Sequence, residues 1–150
     1  VGFMMRSDDV FRKMRPWMLA TDWLLLTSWF VTALVAIGLF AIPEGYLFKD
    51  YYDPRVVAWN WSFFPLDVVF AVLGIYAARL FSKADPRWFG YALVSAALTF
   101  CAGFMAICYW LILGDFDPSW WIPNLIIAAW PVWFVPRLIE AQGKADAPAT

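Results

Sequence analysis

Four long runs that are almost free of charge, at about 17–42, 56–80, 88–113 and 120–138, decide most of what this chain can fold into. Crossing about 30 Å of hydrocarbon takes roughly 20 apolar residues in a helix, and each run is close to that length or beyond it. Backbone inside lipid must satisfy its own N–H and C=O groups, so such runs become helices. Composition agrees: 63% of the 150 residues are hydrophobic and 15% are charged, against about 25% charged in ordinary soluble domains. The expected fold is all-α, an integral membrane four-helix bundle. Its expected divisions are a basic cytoplasmic or interfacial segment over 1–16, a four-helix transmembrane domain over 17–138 and a disordered cytoplasmic tail over 139–150.

The connections carry start signals. Asp53-Pro54, Asp85-Pro86 and Asp117-Pro118 each offer a capping carboxylate followed by proline at the first helical position, where the missing N–H costs nothing. They are expected to open helices two, three and four. Cytoplasmic loops keep the excess of Lys and Arg. Arg6, Arg12, Lys13, Arg15, Arg79, Lys83, Arg87, Arg137 and Lys144 fall on one side, with only Lys49 and Arg55 on the other. Both termini are therefore expected in the cytoplasm, with the protein in a bacterial plasma membrane. Residues 10–18 alternate apolar and basic side chains, the pattern of a short interfacial helix. Val1 reads as a literal translation of an alternative start codon, with Met4 or Met5 as the true start. The first sixteen residues lack the apolar core of a cleaved signal peptide, so the first run is expected to stay as a helix.

Histidine is absent, which removes the usual ligand for haem and zinc and the usual proton shuttle. No metal, cofactor or nucleic-acid partner is expected. Cys101 and Cys108 lie seven apart in one helical run, about 10 Å along its axis, too far for a disulfide. They read as small buried hydrophobes.

Helices in lipid approach closely through small residues three and four apart. Helix one offers Ser28, Thr32 and Ala36; helix two offers Asp67, Ala71, Gly74 and Ala78; helix three offers Ala92, Ala96, Thr99, Gly103 and Ala106. Asp67 thus shares its helix's packing face, with Asn60 two turns above it. Asn124 in helix four and Tyr109 in helix three fall at comparable depth. Together these four residues are expected to form an outward-facing polar recess walled by Trp and Phe. Pro65 leaves two readings of Asp67 open: a first-turn carboxylate of a helix beginning at Pro65, or a mid-helix acid in a longer, kinked helix. Asp22 is a weaker candidate, expected to cap the first span at its inner end.

The stretch Val57-Ala58-Trp59-Asn60-Trp61-Ser62-Phe63-Phe64-Pro65-Leu66-Asp67, preceded by Tyr46-Leu47-Phe48-Lys49-Asp50-Tyr51, resembles the YvaD-like family of small four-span bacterial membrane proteins. The likeness covers about residues 43–75. It implies a bacterial cytoplasmic membrane and transfers no catalytic residue.

Three function classes follow. The first, and the expected one, is a binding or accessory protein whose recess around Asp67 holds a small hydrophobic ligand, or which docks a partner membrane protein. The second, the alternative, is a proton-coupled transporter of a small molecule such as a cation, with Asp67 as its titrating acid and a homodimer as its working form. The third is a lipid-modifying enzyme, which needs two cooperating groups. Asp22 and Asp67 are expected at different depths, unable to meet without a shift of the spans, so an enzyme is not the expected class. Membrane lipids are partners in every case.

Overall fold

A computed structural model describes residues 6–39, 41 and 53–145. Four helices account for nearly all of them: α1 (Ser7–Ala36), α2 (Pro54–Ser82), α3 (Trp88–Leu113) and α4 (Pro118–Ala145). At about 1.5 Å per residue, even α3 with its 26 residues reaches beyond a 30 Å hydrocarbon layer. All four are long and apolar enough to cross a membrane. Their apolar side chains also point outward: Leu24 is 70% exposed and Ile112 83%. Large exposed apolar surface of that kind marks contact with lipid or with a protein partner.

Two of the three Asp-Pro signals open helices as expected. Asp53 accepts from the Arg55 N–H at 2.8 Å and Asp117 from the Ser119 N–H at 2.9 Å, with Pro54 and Pro118 as first helical residues. The third differs. Asp85 also accepts from the N–H two residues on, at 3.0 Å, but α3 proper begins only at Trp88. Its carboxylate is shared with the Arg87 guanidinium, 2.7 Å away. The Arg87 side-chain bond holds the Asp85 carboxyl down at about 2.

Each helix packs on its chain neighbours, and α1 closes the ring against α4. The small-residue faces expected on helices two and three are the ones buried, from Asp67 through Ala78 and from Ala92 through Ala106. Helix one differs from expectation. Ser28 is exposed and Thr32 donates back to its carbonyl at 2.9 Å, so this stripe is not a packing face. The buried face of α1 carries large groups instead: Val10, Phe11, Met14, Met18 and Trp29. Large knobs on α1 fill the spaces that alanine and glycine leave on its neighbours.

That also corrects the N-terminal boundary. Residues 10–18 are not a separate surface helix; α1 runs unbroken from Ser7 through Pro16. Phe11 and Met14 are fully buried, and Phe11 packs on Trp88 with ring centroids 4.5 Å apart. Apolar positions 10, 14 and 18 recur every four residues, which suits a buried helical face as well as a leaflet surface. At the other end α4 continues to Ala145, so the expected tail is helical over its first part; residues 146–150 and the stretch at 46–51 lie outside the described residues.

At Gly103 the backbones of α3 and α4 nearly touch. A Cβ there would lie 2.8 Å from the Asn124 carbonyl oxygen and 2.9 Å from the Ala128 nitrogen.

Candidate functional site

Pro65 lies inside α2, which began eleven residues earlier at Pro54. Asp67 is therefore a mid-helix acid, and the first-turn reading falls away because no free N–H groups of a helix start are near it. It is 5% exposed. Its Oδ2 accepts a hydrogen bond from the indole Nε1 of Trp29 on α1 at 2.7 Å. Trp29 in turn packs against Trp61 and Phe64, with centroids 5.4 and 5.3 Å apart.

Asp22 occupies the same seam. Its Oδ2 rests on Gly74 of α2, at the place where any larger residue would put its Cβ. Trp29 faces Asp67, and seven residues away on each helix Asp22 faces Gly74. That constant register is what an antiparallel pair produces. It sets the two carboxylates about 10 Å apart along the seam, two helical turns at 1.5 Å per residue. They share one interface without meeting, so a two-acid reaction centre does not form.

The surroundings of Asp22 come from α2 and α3, and α4 reaches its neighbour Thr21. It is fully buried, and neither carboxylate oxygen has a hydrogen-bond partner. Ser95 of α3 also approaches the Gly74 Cβ position, at 2.8 Å, while its hydroxyl donates to the Phe70 carbonyl at 2.9 Å. Thr99 donates to the Ser95 carbonyl at 2.8 Å. Beside Asp22, Thr21 accepts from the Trp130 indole of α4 at 3.1 Å. Among the described residues, the buried polar or charged side chains are Ser7, Thr21, Asp22, Asp67, Ser95 and Thr99, with no Lys or Arg.

The other residues expected around Asp67 make different contacts. Tyr109 stacks on Trp59 at 3.9 Å. The Asn124 amide donates to the Trp120 carbonyl of its own helix at 2.8 Å. Asn60 is half-buried. Among the described residues, no hydrogen bond joins any of the three to Asp67. Sequence reasoning missed Trp29, Gly74 and Ser95. The signal for the first two was the shared spacing of seven in 22 and 29 and in 67 and 74, which becomes legible once an antiparallel register is fixed.

Above the seam, Trp110 is 2% exposed and its Nε1 has no acceptor. It lies among Trp59, Tyr109 and Trp120, with centroids 6.1, 5.2 and 5.5 Å away.

Fold and site together define a class: a four-helix protein of membrane-spanning length with two buried carboxylates on one helix seam. The chain belongs to a family of unknown function (DUF5360), whose model matches residues 14–145 and so includes both acids. It is 36% identical over 129 residues to the uncharacterized protein YvaD of Bacillus subtilis (strain 168), covering 86% of this chain and 93% of that protein. No solved structure matches the chain.

Proposed function

We propose that this chain is a multi-pass protein of a bacterial cytoplasmic membrane, both termini inside, which couples proton binding at Asp67 to passage of a small hydrophobic or cationic molecule. The observation that carries this reading is a carboxylate buried at mid-helix that accepts a hydrogen bond from a neutral indole. An Asp at the centre of a spanning helix costs about 2.5–3.5 kcal/mol on insertion scales. Ionisable groups retained there mark proton and ion paths. The segregation of Lys and Arg supports the orientation. A single ring of four packed helices encloses little room for a solute, which favours a homodimer or a complex with a partner membrane protein. Membrane lipids would cover the outward apolar faces.

The test is dye transport in liposomes of phosphatidylethanolamine and phosphatidylglycerol, with ethidium as the probe and an imposed pH gradient. Wild-type protein should move ethidium with the gradient, and Asp67→Asn should abolish that component. Equal gradient-driven transport by both proteins rejects Asp67 as the titrating acid.

A second reading, a binding or accessory protein, is supported by the unpartnered Trp110 indole in its aromatic cluster. A ligand oxygen would satisfy that N–H, and the rings would hold an apolar body. Native mass spectrometry should then find a retained lipid on the wild type that Trp110→Phe loses; identical spectra for both would dismiss this reading.

A further inference from the structure

The Asp22 cluster goes beyond the Asp67 reading and does not depend on it. Two oxygens converge on the place a Cβ would take at Gly74: Asp22 Oδ2 and Ser95 Oγ. Asp22 Oδ2 and Ser95 Oγ both lie within 3.0 Å of one point, the Gly74 Cβ position, and so within twice that distance of each other. The Ser95 hydrogen is already committed to the Phe70 carbonyl at 2.9 Å. What Ser95 turns elsewhere is lone pairs, because a hydroxyl has one donor and two acceptor sites. The cluster therefore consists of acceptors, with no donor directed into it. An ionised, unpaired carboxylate in such a place is strongly disfavoured.

A donor or a positive charge is what the arrangement lacks. Facing Asp22, α2 presents Gly74, α3 presents Ser95 and α4 presents Trp130 through Thr21. None of these supplies a charge. Arg15 of α1, Arg79 of α2, Tyr76 and Tyr91 of α2 and α3, and Arg137 of α4 are all outside the buried set. The other buried acid, Asp67, is two turns along the seam.

We propose that Asp22 is a second proton-binding site: it holds a proton in the resting bundle and donates it to Ser95 Oγ, completing a chain from Asp22 through Ser95 to the Phe70 carbonyl. Gly74 is the residue that admits the pair, since a Cβ would displace both oxygens. The bound species is a proton taken from water and returned to it, with no other bond made or broken. The chain joins α1, α2 and α3, so release of the proton leaves an unpaired charge at their junction.

Infrared spectroscopy of the full-length protein in lipid tests this directly. At neutral pH the wild type should display the C=O stretch of a protonated carboxylic acid. Asp22→Asn should remove that band and Asp67→Asn should keep it. Ser95→Ala leaves the acid in place and should move the band to higher frequency, so the inference stays testable even where Asp22→Asn fails to fold. A wild-type spectrum without the band overturns the proposal, as does a band that keeps its full intensity in Asp22→Asn or is unmoved by Ser95→Ala. Loss of the band when sodium chloride replaces choline chloride would put a metal ion in the site and overturn it as well. Dye transport by Asp67→Asn bears on the earlier reading alone, so the two proposals fail separately.

Discussion

Asp67 and Asp22 face the same seam of the same two helices, yet their surroundings are opposite in kind. Asp67 meets a donor, the Trp29 indole, inside a sleeve of aromatic rings. Asp22 meets acceptors and a bare glycine. A fixed donor satisfies an oxygen in either protonation state, whereas an acceptor-only cluster is completed only by a proton on the acid. One seam thus holds a carboxyl group that is anchored and another that is conditional. Burial alone does not distinguish them; hydrogen-bond polarity does.

The sharpest way to break the comparison is at Gly74. Gly74→Ala forces a methyl group against Asp22 and Ser95 and should cost about 1–3 kcal/mol, the usual penalty of overpacking, measured by reversible unfolding in mixed micelles. The Trp29–Asp67 bond, reported by indole fluorescence, should persist. Trp29→Phe attacks the other rung. It strands the Asp67 oxygen and should cost about 1–3 kcal/mol, with much of the loss recovered in the Trp29→Phe/Asp67→Leu double variant. An additive double variant would mean that the bond contributes nothing.

Smaller effects follow from conservative changes. Asp67→Asn places an amide against the indole donor, while Asp22→Asn brings an N–H into a cluster that lacks one. Asp22→Asn should therefore be the milder substitution by about 1 kcal/mol, the net value of one hydrogen bond. The reverse order would invert the assignment of donor and acceptor surroundings. The smallest effect belongs to a third acid outside the seam. Arg87 lowers the Asp85 carboxyl from 3.8 to about 2, so its contribution to stability is present above pH 3.8 and lost as pH falls toward 2. Arg87→Gln should return the Asp85 titration, followed by carboxyl carbon-13 shifts, toward 3.8. An unmoved titration would exclude the ion pair as the cause.

The legible parts of the fold were those set within one helix. Apolar runs marked four helices, small residues at spacings of three and four marked the buried faces of α2 and α3, and Asp53 and Asp117 marked two helix starts. The face of α1 was not legible by the same rule. Where two helices offer small residues, the third must fill the gap with large ones, and Ser28, Thr32 and Ala36 pointed the wrong way. Asp67 was legible as buried because Ala71, Gly74 and Ala78 share its face. Its partner was not, because the connection between α1 and α2 is long enough to permit several registers, each of which would set a different residue opposite it. Asp85 caps a turn that precedes α3, with its carboxylate on both the N–H and the guanidinium of Arg87, and the regular helix begins at Trp88.

The glycine at the α3–α4 crossing has a mechanical meaning. At Gly103 the clearance is set by main-chain atoms of α4, which have no rotamers with which to yield; at Gly74 it is set by the side chains of Asp22 and Ser95, which do. The bundle is splinted along one edge and sprung along the other. Side chains can re-pack at the sprung edge, where both acids lie, and main-chain atoms at the other edge cannot.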